Sequence, residues 1–370
     1  MIYADNAATT QIDKYVLEAM IPWLSEDYAN PSQPYSFARK TKTAIKEARL
    51  TIASIINASP EEIYFTSGGT ESDNWAIKGT AFSTADKTKI ITSAIEHHAI
   101  LNSCSAIERQ GHSVTYLLPD TKGVVSPVSL QEVIDNDTNL VSVMLSNNEI
   151  GTIEPIKELS EITHRHGALF HTDAVQAVGH IPVDVKALGI DMLSASAHKF
   201  NGPKGVGFLY IRNGVKIAPF NDGGSQEYGL RAGTENTAGI VGMARALQGN
   251  CNKMDEHNEH LLFLENMLLD KIRELDFIRN GHDNHVPGNI SLSFRNASGE
   301  AIFHRMDLKG ICISTGSACD SVNTNVSHVI KAIKVPNEYS NGTIRISLGK
   351  NNTSEDVIAI AKALSQILRN

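Results

Sequence analysis

The stretch "SAHKFNGPKG" (196–205) places His198 and Lys199 after an apolar run, "DMLSASA", and before a turn rich in Gly and Pro. A lysine at such a strand end is either a solvated surface charge or an amine held for chemistry. Two similar junctions decide which. In "EIYFTSGGTESDN", Gly68 and Gly69 make a tight turn and Thr70 opens a helix carrying Glu71 and Asp73. Backbone N–H groups at a helix start attract anions. In "LFHTDAVQ", Asp173 lies at a strand end with Gln176 three residues on. Open α/β sheets bind ligands at the carboxyl ends of their strands. Each junction has an ordinary alternative when taken singly. Thr70 is a plausible N-cap, Asp173 a cap with Gln176 as its box partner, and Lys204 a competing amine, although its turn between Pro203 and Gly205 favours exposure.

Together the three junctions form a more specific set. An amine for a Schiff base, a carboxylate for a cationic ring nitrogen and an anion site are what pyridoxal 5'-phosphate requires. Burial of the amine frees its lone pair. His97 and His98 of "IEHHA" follow another strand, and an imidazole there suits ring stacking and proton transfer near neutral pH. Asn148 of "NNEIG" also follows a strand, and its amide suits an oxygen of the cofactor or a carboxylate.

The elements that position these residues follow from the pattern. From about residue 60, short apolar runs alternate with helical stretches: "KIITSA", "LVSVMLS", "ALFHTDA", "DMLSASA" and "GVGFLYIR" as strands, with helices between. Such alternation predicts an α/β domain with a large, mostly parallel sheet. After about residue 255 the texture changes to a long amphipathic helix, the strands "NISLSF", "ICIST" and "TIRISL", and a closing helix, which predicts a smaller α+β domain. The expected division is 14–255 for the large domain, and 1–13 plus 256–370 for the small one. The chain has 370 residues, 41% apolar and 20% charged, with a net charge of −8, which disfavours a broad nucleic-acid surface. No run is long enough to span a membrane, so the expectation is a soluble cytoplasmic protein. The four cysteines, Cys104, Cys251, Cys312 and Cys319, form no CxxC, which argues against a disulfide framework or a metal site. A cluster of His164, His166 and His171 is a weak metal candidate, since two of them sit at a helix end where positive charge is favoured. Only Cys319, in the polar stretch "STGSACDSVNTN", reads as a reactive thiol on a loop (about 314–326).

Read together, "YADNAATT", "ANPS", "TSGGTESDN", "EHHA", "NNEIGTIEP", "HTDAVQ", "SAHKFNGPKG", "RAGTEN" and "STGSAC" resemble the cysteine desulfurases. These are pyridoxal-phosphate enzymes of the class V aminotransferase family, with the aminotransferase-like fold, and the loop length resembles their long-loop branch. The resemblance covers nearly the whole chain. It implies that Lys199 forms the Schiff base, Asp173 holds the pyridinium nitrogen, Gln176 the phenolic oxygen, and His97 stacks on the ring. It implies phosphate contacts from Gly69, Thr70, Ser196 and His198, and from Thr234 across a homodimer. Asn148 and Arg345 are implied to grip the substrate carboxylate, a grip that suits a bidentate guanidinium. Cys319 is the implied nucleophile, which takes sulfur from L-cysteine as a persulfide, leaves L-alanine and passes the sulfur to an acceptor protein for iron–sulfur clusters or thiolated tRNA. The sequence departs from the family at Asp320 (usually Thr or Ser), Val326 (commonly Pro), Tyr35 (His) and Ala38 (Gly). A selenocysteine lyase or an aminotransferase would share Lys199 and Asp173, while a non-enzymatic scaffold would not depend on Lys199.

Overall fold

The computed structural model describes residues 1–83, 86–315 and 326–369. Its strands are β1 (Ile2–Tyr3), β2 (Ile63–Thr66), β3 (Lys89–Ser93), β4 (Ser113–Leu117), β5 (Thr138–Ser142), β6 (Leu169–Asp173), β7 (Met192–Ser196), β8 (Gly207–Ile211), β9 (Phe277–Asn280), β10 (Asn289–Phe294), β11 (Ile311–Cys312) and β12 (Thr343–Ser347). Seven of them form one sheet in the order β2-β8-β7-β6-β5-β3-β4. Strand β8 runs antiparallel to both β2 and β7, and the other pairings are parallel. Every residue of β5, β7 and β8 is buried, as expected for strands covered on both faces. On one face, Ile91, Val141, Phe170, Leu193 and Phe208 pack with Ile45 and Ile52 of the helix Arg39–Ile55 and with Ile240 and Leu247 of the helix Thr237–Asn252. On the other, Ile90, Leu140, Met192 and Leu209 pack with Trp75 of the helix Gly69–Ala81 and Ile100 of the helix His98–Glu108. The alternation of neighbours such as Ile90 and Ile91 between the two faces is the period-2 signature of the strand.

A second core forms around an antiparallel sheet of order β12-β10-β9. Leu261, Leu264 and Leu268 of the helix Met254–Ile272 and Val357, Ile360 and Leu364 of the helix Ser354–Leu368 pack there with Ile290, Leu292, Ile344 and Ile346. Ala4 belongs to this core, and β1 pairs with β11. The N-terminus therefore sits among residues of the second core and then crosses to the first.

Three details differ from the sequence reading. The helix after β2 begins at Gly69 with Gly68 as its N-cap, so Thr70 is not the cap. Glycine is suited to this position because the Gly68 backbone has φ of +147°. No helix is assigned in the turns directly after Asp173, whose Oδ1 instead accepts the Val175 N–H at 2.9 Å in a local turn. Strand β5 ends at Ser142, but Val143 and Leu145 still donate to the carbonyls of His171 and Asp173, so the apolar run continues as an irregular extension of the ladder.

Candidate active site

The carboxyl ends of β2, β3, β5, β6 and β7 lie on one edge of the parallel sheet, and the sequence-expected residues leave from them: Gly69 and Thr70 after β2, His97 after β3, Asn148 after β5, Asp173 and Gln176 at β6, and Ser196, His198 and Lys199 at β7. Because β5 and β4 flank β3, the winding reverses there, which opens the crevice where such sheets hold ligands.

Lys199 ends a single 3-10 turn, Ala197–Lys199, that follows β7. Its Nζ donates to the carbonyls of Ala7 at 2.7 Å and Ala8 at 2.8 Å. Gln176 Nε2 donates to the same Ala7 carbonyl at 2.9 Å, so the amine and the amide meet on one atom. His198 Nδ1 lies 3.1 Å from Thr9 Oγ1, and its carbonyl accepts from both the N–H and the hydroxyl of Thr10 at 2.9 Å. Burial, with Lys199 and Lys204 nearby, pushes the His198 imidazole down to about 4, so it is neutral at pH 7. Lys204, the competing amine, is exposed.

The turn before the helix Gly69–Ala81 is kept bare by close approach. A Cβ on Gly207 would lie 2.7 Å from Gly68 Cα, and one on Gly68 would lie 3.3 Å from Ser196 Oγ. Ser196 is buried, and the helix is long enough for its first N–H groups to carry positive potential. Thr70 is exposed at this opening. Beside it, Arg231 Nε pairs with Glu71 Oε1 at 2.8 Å, while Glu71 Oε2 accepts the Ser67 N–H.

Asp173 is buried, and burial pushes its carboxyl up against the opposing influence of His97, the Val175 N–H and Lys199. His97 caps the helix His98–Glu108: its Nδ1 accepts the Ala99 N–H at 3.1 Å. A neutral ring accepting at Nδ1 carries its proton on Nε2. Burial pushes the His97 imidazole down, Asp173 acts in the opposite sense, and Lys199 and His98 reinforce the burial. His97, Asp173 and Lys199 therefore form one electrostatic set.

Arg345, on β12, is buried. It donates Nη1 to the Asn148 carbonyl at 2.9 Å and Nη2 to Asp5 Oδ1 at 2.7 Å, and its Nε has no hydrogen-bond partner among the described residues. Its backbone N–H and carbonyl pair with Ser314 at 2.7 and 3.0 Å, so the last residues described before 316–325 adjoin Arg345. After that stretch, Val326 packs against Ile95, Ile150 and Ile330, and the His328 ring lies 4.9 Å from His98. Cys319 and Asp320 lie outside the described residues.

The structure does not bring every expected residue together. Thr234 is exposed and lines an open groove with Phe220, Asp222 and Gln226. The three histidines weighed for a metal go separate ways: His164 to Asp191, His166 to the Ile162 carbonyl, and His171 to Ser142 and Ser194. Among the described residues no metal-binding cluster occurs, and no helix is long and apolar enough to cross a membrane. Burial pushes the Cys104 thiol up to about 12 and that of Cys251 up to about 11, so neither is a ready thiolate. Sequence reading missed the roles of Asp5, Ala7 and Ala8. The motif "YADNAATT" was the available signal, but carbonyl acceptors leave no side-chain signature.

These residues fit a pyridine-ring phosphate cofactor. A bare cradle at a helix start, a buried carboxylate and an amine anchored beside it supply the required donor set.

The chain belongs to the class-V aminotransferase family, whose model matches residues 2–360. Within it, the chain is a cysteine desulfurase that mobilises sulfur. It is 49% identical over 371 residues to the cysteine desulfurase IscS of Methanosarcina thermophila, covering 100% of this chain and 92% of that relative. The solved structure of a NifS-like protein is 39% identical, covers 100% of this chain and 99% of its own, and superposes with a TM-score of 0.94. The structure of SspA in complex with cysteine is 38% identical over 95% of this chain and 100% of its own, with a TM-score of 0.86.

Proposed function

We propose that the crevice holds pyridoxal 5'-phosphate and L-cysteine, and that the sulfur leaves on Cys319. Bound there, the cofactor supplies the electron sink that lets bonds at the substrate Cα and Cβ break. Lys199 Nζ would hold it, and the same amine would take the substrate Cα proton. Asp173 faces the ring nitrogen, Gln176 the phenolic oxygen, and His97 the ring face. Gly69, Thr70, Ser196 and His198 bind the phosphate. Arg345 and Asn148 orient the substrate carboxylate, with Arg345 Nε the buried donor left for it. His97, with its proton on Nε2, serves as the proton handler for the departing sulfur. The Cys319 thiolate attacks that sulfur, the Cβ–S bond breaks, and protons from the site complete alanine. The balance is cysteine plus thiol giving alanine plus persulfide.

The observation that carries this reading is that Lys199, Asp173 and His97 leave from the carboxyl ends of β7, β6 and β3 and act on one another electrostatically. The likeness to SspA, whose structure contains cysteine, supports the substrate. The chain acts as a homodimer in which Thr234 reaches the other subunit's phosphate, which suits its exposure here. It serves a sulfur-acceptor protein in the cytoplasm. We take the chain to divide into 14–255 and 1–13 plus 256–370; the two large cores support this, and Ile95 and Ile150 pack with Val329, Ile330 and Ile333 across the division.

The test is to incubate the holoenzyme with L-cysteine and map products in wild type and Cys319→Ser. Alanine and persulfide should appear in equal amounts in the wild type, and both should be lost in the variant. Undiminished alanine release from Cys319→Ser would remove Cys319 from the mechanism.

A further inference from the structure

Asp73 is a buried carboxyl that the reaction described above does not use. It lies in the helix Gly69–Ala81, 1% exposed, and its Oδ1 has no hydrogen-bond partner among the described residues. The helix packs over β6 and β7, where Asp173 pairs with Ser194, and the Asp73 carboxyl there acts on that of Asp173, which is 5% exposed. Two adjoining carboxyls in a dry interior resist ionising together, because their repulsion adds to the cost of desolvation.

The surroundings decide which of them carries the proton. Asp73 faces Ser194, Glu96 and His171. His171 Nε2 stands 3.9 Å from Asp73 Oδ1, but the ring is no cation. It lies between Ser142 Oγ at 2.8 Å and Ser194 Oγ at 3.0 Å, and burial pushes it down to about 3. Burial, Asp173 and Glu96 all push the Asp73 carboxyl up, with only the Ser194 hydrogen bond opposing them strongly. Asp173 has His97, Lys199 and the Val175 N–H on its side. Lys199, His97 and the Val175 N–H thus favour the charged form of Asp173, whereas Asp73 has the Ser194 hydroxyl alone against burial and two carboxyls.

We propose that Asp73 is a positioning residue: a neutral carboxylic acid whose O–H donates to the Asp173 carboxylate, fixing that group's charge and rotamer. The Val175 N–H at 2.9 Å and the Asp73 O–H then hold Asp173 from two directions, which leaves a lone pair for the ring nitrogen. The arrangement resembles an orienting partner behind a metal-bound histidine, with an acid supplying the hydrogen bond. This extends the proposed function, since the partner assigned to Asp173 is the cofactor's ring nitrogen.

Two measurements separate this inference from that reading. The first uses cofactor-free protein. A difference infrared spectrum of wild type minus Asp73→Asn should contain a protonated-carboxyl C=O band, which Glu96 and Glu154 do not contribute because they are common to both. Absence of that band overturns the inference whether or not cofactor binds. The second follows cofactor binding and colour. Asp73→Asn, which keeps an N–H donor, should hold the cofactor within about twofold of wild type, with the same pH midpoint of its visible band. Asp73→Ala should lose about tenfold or more in affinity and shift that midpoint. Equal weakening by both variants, or by neither, would overturn the inference. A wild type that never colours would instead sink the cofactor reading.

Discussion

Glu96 precedes His97 and is buried, with Oε1 accepting from Ser93 Oγ at 2.6 Å and the Met144 N–H at 2.9 Å. Burial pushes its carboxyl from 4.5 up to about 8 despite those bonds, and Glu154 behaves alike. A carboxyl raised on folding contributes stability that is fully present below its ordinary value and is lost as pH rises through the raised one. His171, lowered from 6.5 to about 3, acts in the other sense: its contribution is present above 6.5 and is lost as pH falls. The windows overlap between 4.5 and 6.5, where the slopes oppose each other, so these groups weaken the fold as pH falls below 4.5 and as it rises from 6.5 towards about 8. Glu96→Gln should raise the melting temperature by several degrees above about pH 8 and by little at about pH 5. An equal shift at both pH values would mean that Glu96 does not titrate as its burial dictates. The variant keeps the Oε1 acceptor, so the comparison isolates the ionisable proton.

Among the elements, the N-terminal segment does the most joining. Within a few residues Asp5 pairs with Arg345, the Ala7 N–H donates to Ser347 Oγ at 2.9 Å, and the carbonyls of Ala7 and Ala8 receive Lys199. Arg345 is only 4% exposed, so losing its carboxylate partner leaves a buried charge with too few acceptors. Asp5→Ala should cost on the order of 3 kcal/mol, read as a shift in the urea midpoint, and Asp5→Asn less because an acceptor remains. A negligible shift for Asp5→Ala would show that solvent or another group replaces the carboxylate. Much of the candidate site was legible because strand-end side chains carry their chemistry in their identity: Lys199, Asp173 and His97 each end or follow an apolar run that reads as a buried strand. The segment 5–10 was less legible because it acts largely through main-chain atoms. Strand β4 also escaped notice, being a sheet-edge strand with Tyr116 and Ser113 exposed and so lacking a strong apolar run. The helix Arg39–Ile55 buries small residues such as Ala44, Ala48 and Ala53, which leave a faint apolar stripe.

At the scale of the whole molecule, two cores meet at one crevice. The first supplies the strand ends, and the second supplies Arg345 and the residues flanking 316–325. Apolar side chains remain uncovered on the first: Leu24 is 65% and Tyr28 70% exposed, near Ile21 and Phe37 in sequence. Such a concentration marks a surface for association, in keeping with the proposed homodimer. Sedimentation should give a dimer, and Leu24→Glu with Tyr28→Glu should shift it towards monomer. A wild-type monomer with full turnover would exclude shared sites.

Asp5 and Arg345 are 340 residues apart in the chain. During translation the first leaves the ribosome long before the second exists. The pocket therefore cannot close while the nascent chain is still growing, whatever has already folded. A truncated product cut off before β12 lacks the guanidinium, and with it the bridge from Asp5 to the Asn148 carbonyl.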